Sequence, residues 1–314
     1  MSDLVECTCA HCGKQFRAVP MPQHRVMCGD STDPAAVALL MTGERASLVA
    51  CDPPYGVAYD GNPHRRQVSP TQHGGGIVYD PIENDDLSGE DLERFLRAAF
   101  CVAAAHTTEE AAWYVWHASR TRPCFLAALA AAGVTVHQEI VWVKEGFQFG
   151  RADYHWQHEP CLYGWRERHT FLGERNQSTV WQIARHSEHQ HPTTKPTELW
   201  RIPIRNHLQP GEIVLDLFLG SGPAVIAAQQ LGCRAMGMEL SPAYCDVAVL
   251  RWQTLTGKQA VLKATGQTFS QVGAARMAGA AQSFAGASDD LTRPPGPCDQ
   301  APAQNAATAS PDGE

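Results

Sequence analysis

No stretch of this chain is apolar for long enough to cross a bilayer, so a helical membrane span is not expected. The opening residues, MSDLVECTCAHC, lack the basic and apolar blocks of a secretory signal, and the expectation is a cytoplasmic protein. Positive charge is not in excess: 25 Lys and Arg stand against 33 Asp and Glu, a formal net charge of −8. That total argues weakly against a nucleic-acid partner, yet it hides local variation. Between Lys144 and Arg205, nine Lys and Arg meet seven Asp and Glu, with six histidines besides. After Ser270 two Arg meet five Asp and Glu, so part of the acidity lies in the tail and DNA is not excluded. The 11 cysteines are an odd number, and seven of them (Cys28, Cys51, Cys101, Cys124, Cys161, Cys233, Cys245) lie in or beside apolar segments. There they read as small core residues in a reducing compartment. No internal repeat is present.

What is there is an alternation of strands and helices. A strand is expected from His24 to Gly29, then a helix capped by Asp33 with Pro34 at its first position and Gly43 at its end. A second strand ends at Asp52, and the long Gly-, Pro- and His-rich loop from Gly56 to Leu87 follows. Helix Ser88–His106, strand Ala111–His117, helix Arg122–Ala132 and strand Val134–Lys144 come next. A polar, aromatic stretch with short strands runs to His191. From Glu212 the pattern tightens into strand, glycine turn, helix, strand and helix, ending at Gly257. This alternation gives the fold class as α/β, a doubly wound and mostly parallel sheet. We divide the chain into a short Cys-containing segment (1–23), one domain (24–260) and a disordered Ala/Gly/Ser/Pro-rich tail (270–314).

Two turns carry the chemistry. The stretch ACDPPYGVAYD ends a buried-looking strand with Asp52, Pro53, Pro54 and Tyr55. The prolines stiffen the turn and stop the ladder, so an acid and a ring project from a strand's carboxyl end. A bland turn with a surface acid explains the prolines but not the combination. The second turn, Asp216-Leu-Phe218-Leu-Gly220-Ser221-Gly222, joins a strand to a helix and lets backbone approach a ligand. Val225 stands where a dinucleotide fingerprint needs a third small residue, which disfavours hydride-transfer cofactors. Glu239, ending the next strand, is placed to accept hydrogen bonds from ribose hydroxyls.

Together these turns resemble the amino-methylating DNA methyltransferases that use S-adenosylmethionine, with their D/N/S-P-P-Y/F/W tetrad and F-x-G-x-G turn. The tetrad precedes the glycine turn, as in the permuted β-type order, and HPTTKP (His191 to Pro196) and HRVMCGDS (His24 to Ser31) are similar to further segments of that group. The resemblance covers about Gln23 to Thr256 and implies a Rossmann-like methyltransferase fold with circularly permuted motif order. It divides the domain into a catalytic half (24–145), a small target-recognition region (146–190) and a cofactor half (191–260). It implies Asp52, Pro53, Pro54 and Tyr55 as catalytic, and Asp30, Lys195, Asp216, Phe218, Gly220, Ser221, Gly222 and Glu239 as cofactor-binding. It implies double-stranded DNA as partner, with room for a homodimer and a cognate restriction endonuclease. An acid at the first tetrad position goes with adenine N6 in that family. Cytosine N4, a protein glutamine amide and a catalytically silent cofactor- and nucleic-acid-binding module stay open as alternatives. Pro223 departs from the family's usual Thr, and Pro203 is expected to bend or end the helix after Lys195.

The physics agrees with the resemblance. An exocyclic base amine is a poor nucleophile because its lone pair is delocalised into the ring. Asp52 and the Pro53 carbonyl can accept its N–H groups and free that lone pair. Tyr55 can stack on a base taken out of the duplex. DNA-binding candidates are Arg65 and Arg66 in the first loop and Arg151, Arg166 and Arg168, with Trp156, in the target-recognition region. Cys9 and Cys12 have half of a zinc spacing, which the methyltransferase reading does not require.

Overall fold

The computed structural model describes residues 23–58, 83–148, 153–184 and 195–277, with the backbone of two short strands nearer the start. The chain forms two compact units, Met1–Lys258 and Gln259–Glu314. In the first, β1 (Val5–Thr8) and β2 (Gln15–Ala18) pair antiparallel as a separate ribbon. Cys9 and Cys12, between these strands, lie outside the described residues, as do Arg65, Arg66 and Arg151.

The main sheet has eight strands: β3 (Arg25–Cys28), β4 (Ala46–Cys51), β5 (Thr107–Trp116), β6 (Thr135–Gln148), β7 (Trp156–Trp165), β8 (Val180–Gln182), β9 (Ile213–Asp216) and β10 (Arg234–Glu239). Their order is β3-β10-β9-β4-β5-β7-β6-β8, with β7 antiparallel to both of its neighbours and every other pair parallel. The helices are α1 (Pro34–Met41), α2 (Gly89–Ala105), α3 (Arg122–Ala131), α4 (Glu198–His207), α5 (Pro223–Gln230) and α6 (Pro242–Thr256).

Alternation along the strands sends successive side chains to two cores. On β5, Trp113 and Val115 pack with Val37 and Leu40 of α1, Leu92, Leu96 and Phe100 of α2 and Phe125 of α3. Ala112, Tyr114 and Trp116 of the same strand pack with Trp200 and Ile204 of α4, Val225 of α5 and Ala248 of α6. The sheet is therefore covered on both faces, the doubly wound arrangement expected from sequence.

The late strands β9 and β10 are inserted between the early strands β3 and β4, which is the permutation in physical form. From β9 the chain turns into α5 on one face, and from β4 it runs on to α2 on the other. Adjacent strands whose connections part to opposite faces leave a crevice at their carboxyl ends.

Two strand bounds change, and one of the two outcomes expected at Pro203 is ruled out. Strand β5 starts at Thr107 rather than Ala111, because Thr107 pairs with Ala46 ahead of a register shift. Strand β6 runs on from Lys144 to Gln148. Pro203 does not end α4, which continues to His207. Its ring removes one helical hydrogen bond, but Leu199, Trp200, Pro203 and Ile204 are all buried, and that burial outweighs the lost bond.

In the second unit, Gln271 Oε1 accepts from the Thr268 N–H at 2.8 Å while the Gln271 N–H donates to Thr268 Oγ1 at 3.3 Å. This reciprocal cap starts helical turns over 269–277, where the tail was expected to begin at Ser270. Residues 278–314 lie outside the described residues.

Candidate active site

The crevice is built where β4 and β9 end. Val49 pairs with Leu215, and three residues beyond that pair come Asp52 on one strand and Phe218 on the other. Trp200, fully buried on α4, ties the two strand ends together. Its indole N–H lies 3.2 Å from the Ala50 carbonyl and 3.1 Å from Asp216 Oδ2.

The tetrad turn is held from outside itself. Asp85, buried shortly before α2, accepts from the N–H groups of Tyr55 (2.8 Å) and Gly56 (3.0 Å) through Oδ1. Thr121 donates its hydroxyl to the Tyr55 carbonyl at 2.7 Å. Gly56 has φ +68°, and a Cβ there would stand 2.5 Å from the Leu87 carbonyl oxygen, so only glycine fits.

Inside the crevice Asp52 and Tyr55 join a chain of charges. Tyr55 donates its hydroxyl to Asp52 Oδ1 at 2.7 Å, with Glu159 Oε2 at 3.3 Å. Lys195 Nζ donates to Asp52 Oδ2 (2.7 Å), Glu159 Oε2 (2.8 Å) and the Tyr55 hydroxyl (2.9 Å). Glu159 Oε1 is paired to buried Lys144 at 2.6 Å. Burial drives the Asp52 carboxyl above the usual carboxylate range, and Lys195 offsets that only in part. Burial also acts to raise Glu159, but Lys195 and Lys144 together bring it down to about 2. Burial presses Lys195 toward the neutral amine, and Asp52 with Glu159 more than reverses this. Two neighbouring carboxylates thus differ in basicity, with Asp52 the stronger proton acceptor.

The glycine turn faces this network. Asp216 is fully buried; its Oδ1 accepts from the Phe218 N–H at 3.1 Å, and burial pushes its carboxyl up to about 8. It therefore shapes the turn from beneath. Glu239 accepts from the Gly220 N–H (2.7 Å) through one oxygen and from the Ser241 N–H (2.9 Å) through the other. A Cβ placed on Gly220, at φ +52°, would meet nothing within 4 Å, so the backbone borders open space as a ligand cradle must. Gly222 is tight instead: a Cβ there would stand 2.7 Å from Ala248 Cβ, so this glycine serves helix packing. Ser221 is buried with its hydroxyl held by Arg251 at 3.0 Å. Phe218 meets Phe95 edge-on at 6.0 Å. Asp30, exposed at the end of β3, accepts from the Thr32 N–H and hydroxyl, both at 2.8 Å.

The sequence-predicted residues separate into three places. Asp52, Tyr55 and Lys195 meet directly, so Lys195, expected beside the cofactor, stands in the tetrad's charge network. Asp216, Phe218, Gly220, Ser221, Gly222 and Glu239 form the adjoining turn and its supports. Arg166 and Arg168 are not at this end of the sheet. Arg166 donates to Thr107 Oγ1 (2.8 Å) and the Thr108 carbonyl (2.6 Å), and Arg168 pairs with Glu110 at 3.0 Å. All three partners lie at the start of β5, whereas Asp52 follows the end of the parallel neighbour β4. Because β7 is antiparallel to β5, residues just after β7 are carried away from the crevice, so both arginines, DNA-binding candidates by sequence, stand apart from the tetrad. The β6–β7 hairpin points the other way, pairing Trp142 with Glu159 at the crevice end. It exposes Phe147, Tyr154 and Trp156 there.

Sequence reading missed Glu159, Lys144, Asp85, Thr121 and Trp200. A lone Glu in a strand or a lone Trp in a helix carries no motif, and only the fold brings them to the tetrad.

A permuted Rossmann-like sheet, with the tetrad and a glycine turn flanking its switch point, defines the class as the S-adenosylmethionine-dependent methyltransferase fold. A family model described as DNA methylase, of the N6/N4 methyltransferase type, matches residues 46–250, and the chain belongs to that family. Type II methyltransferase M.Cfr9I of Citrobacter freundii is 40% identical over 99 residues, 30% of this chain and 33% of that protein. The matched stretch thus spans about a third of that relative's length. The crystal structure of the M1.HpyAVI–SAM complex aligns with a TM-score of 0.53 at 18% identity, covering 73% of this chain and 100% of that one. PvuII DNA methyltransferase, titled cytosine-N4-specific, aligns with a TM-score of 0.53 at 13% identity, covering 74% and 87% respectively.

Proposed function

We propose that this chain methylates the exocyclic amine of a base flipped out of double-stranded DNA, with N6 of adenine as the acceptor. The observation that carries this reading is Asp52: a basic, partly buried carboxylate at the switch point, beside a glycine cradle. Bound S-adenosylmethionine would supply a methyl group on a sulfonium, and Gly220, Glu239 and Asp30 are the residues to hold it. Each Asp52 oxygen accepts one hydrogen bond and keeps a lone pair, so the carboxylate can take an amine N–H while the Pro53 carbonyl takes the other. That draws the nitrogen toward tetrahedral geometry and places a negative group beside the positive charge that develops on it. Asp52 then accepts the proton that the methylated amine releases. The exposed aromatic rings of the β6–β7 hairpin offer a surface to the duplex.

Cytosine N4 is the second reading, favoured by the structural likeness to a cytosine-N4-specific enzyme. The test is transfer of a labelled methyl group to DNA, followed by digestion and mass analysis of nucleosides. N6-methyladenine is expected. N4-methylcytosine would replace the base assignment, and label unaffected by Asp52→Ala would remove Asp52 from the chemistry.

A further inference from the structure

The charge network behind Asp52 has more parts than the amine chemistry requires. Glu159 lies on β7 and Lys144 on β6, neither belongs to the tetrad or the glycine turn, and both are largely buried. Burying four charges is costly unless each is matched, so the arrangement calls for a reason. Lys195 alone would be a poor neighbour for an amine acceptor. Its ammonium stands 2.7 Å from Asp52, where it lowers the basicity of the carboxylate and repels the positive charge developing on the substrate nitrogen. Glu159 answers both effects. It accepts from Lys195 at 2.8 Å and from Lys144 at 2.6 Å, so the two acids and two lysines sum to zero.

Resting on the proposed amine chemistry, we infer that Glu159 is a positioning residue. It shares the Lys195 ammonium with Asp52, at 2.8 Å against 2.7 Å, and sets a second negative charge beside that cation, so that Asp52 stays a strong acceptor and the site is not net positive when the amine becomes cationic. Lys144 fixes the second Glu159 oxygen and so sets how strongly Lys195 is drawn. The lower acidity range of Glu159 against the raised range of Asp52 fits this division. Other ionisable groups around Asp52 do not take its place. The Cys51 and Cys161 thiols are driven well up by burial and stay neutral, the Tyr55 phenol likewise, and Asp216 is pushed up to about 8.

The test uses opposite substitutions in the full chain. Glu159→Gln leaves Lys195 to Asp52 alone, so the acidic limb of the kcat–pH profile should move down by about one unit or more, with kcat reduced at least tenfold. Lys195→Gln removes the cation, so the same limb should move up. A merely structural role would lower kcat in both variants without moving the limb in opposite directions, and that result overturns the proposal. Lys144→Met with Glu159→Gln restores a neutral count should the single variant fold poorly, and the limb should still lie below that of the wild type. Carboxyl-carbon NMR titration of Asp52 needs no turnover and should show the same opposite shifts. Absence of methyl transfer by the wild-type chain with intact shifts in that titration would remove the amine reading and leave the network. Turnover with unmoved titrations would do the reverse.

Discussion

At the scale of single residues, the tetrad depends on a carboxylate that no motif contains. Asp85 lies 30 residues beyond Tyr55, yet it accepts both N–H groups that the Pro-Pro turn leaves pointing inward. The prolines have no N–H of their own to stabilise the turn, so the next two amides must be satisfied from elsewhere. Asp85→Ala should cost about 2–3 kcal/mol in chemical denaturation, because two buried donors lose a charged acceptor. Methyl transfer should fall much further than stability does, and Asp85→Asn should be milder, since it keeps one acceptor oxygen. Equal losses of stability and activity for the two variants would deny Asp85 this role. Gly56→Ala should disrupt the same turn by strain at φ +68° and by collision with the Leu87 carbonyl, seen as a lowered Tm with the cofactor site still competent.

At the scale of elements, α4 decides how the two halves of the crevice meet. The segment leading into it carries Lys195 into the charge network, and in its first turn Trp200 bonds both the β4 and β9 ends. Trp200→Phe keeps a buried ring but removes the indole N–H, leaving an Asp216 oxygen and the Ala50 carbonyl short of a donor. The expected outcome is weaker S-adenosylmethionine binding by calorimetry, about tenfold, with Asp52-dependent chemistry still measurable at saturating cofactor. Unchanged affinity would show that the clamp is dispensable. From sequence Pro203 is expected to bend or end the helix, and a buried face on both sides of the proline carries α4 across it. Local rules give the cost of that proline and say nothing of the packing that exceeds it.

At the scale of the whole molecule, buried histidines link stability to pH. His24 joins β3 to β10 by accepting from the Ala235 N–H at 3.0 Å, and His207 lies under Tyr114 with its ring nitrogens bonded to Tyr114 and Thr170. Burial lowers both to about 4, well under the ordinary histidine value of 6.5. Between those values the unfolded chain binds protons that the fold refuses, so stability is lost as pH falls from about 6.5 toward 4. Asp216 acts in the opposite sense, since at about 8 the fold keeps a proton that the unfolded chain releases. Burial likewise lowers His106, His117 and His169 and raises Asp52 and Glu239, so five histidines stand against three acids and leave a net loss on the acid side. Thermal melts should show Tm dropping over this range, and His24→Asn or His207→Asn should flatten the drop. A slope unchanged in both variants would place its origin elsewhere.

The sequence by itself determined the α/β alternation, the two turns and their permuted order, because these rest on local signals: strand periodicity, prolines, glycines and caps within a few residues of one another. Asp52, Tyr55, Gly220 and Glu239 were legible for that reason. Only the tertiary structure decided that Lys195 touches the tetrad, that Glu159, Lys144 and Asp85 join its network of contacts, and that Arg166 and Arg168 lie at the opposite end of the sheet. These contacts join residues far apart in the chain, and strand direction and register set them. A residue's own neighbours in sequence carry no trace of either.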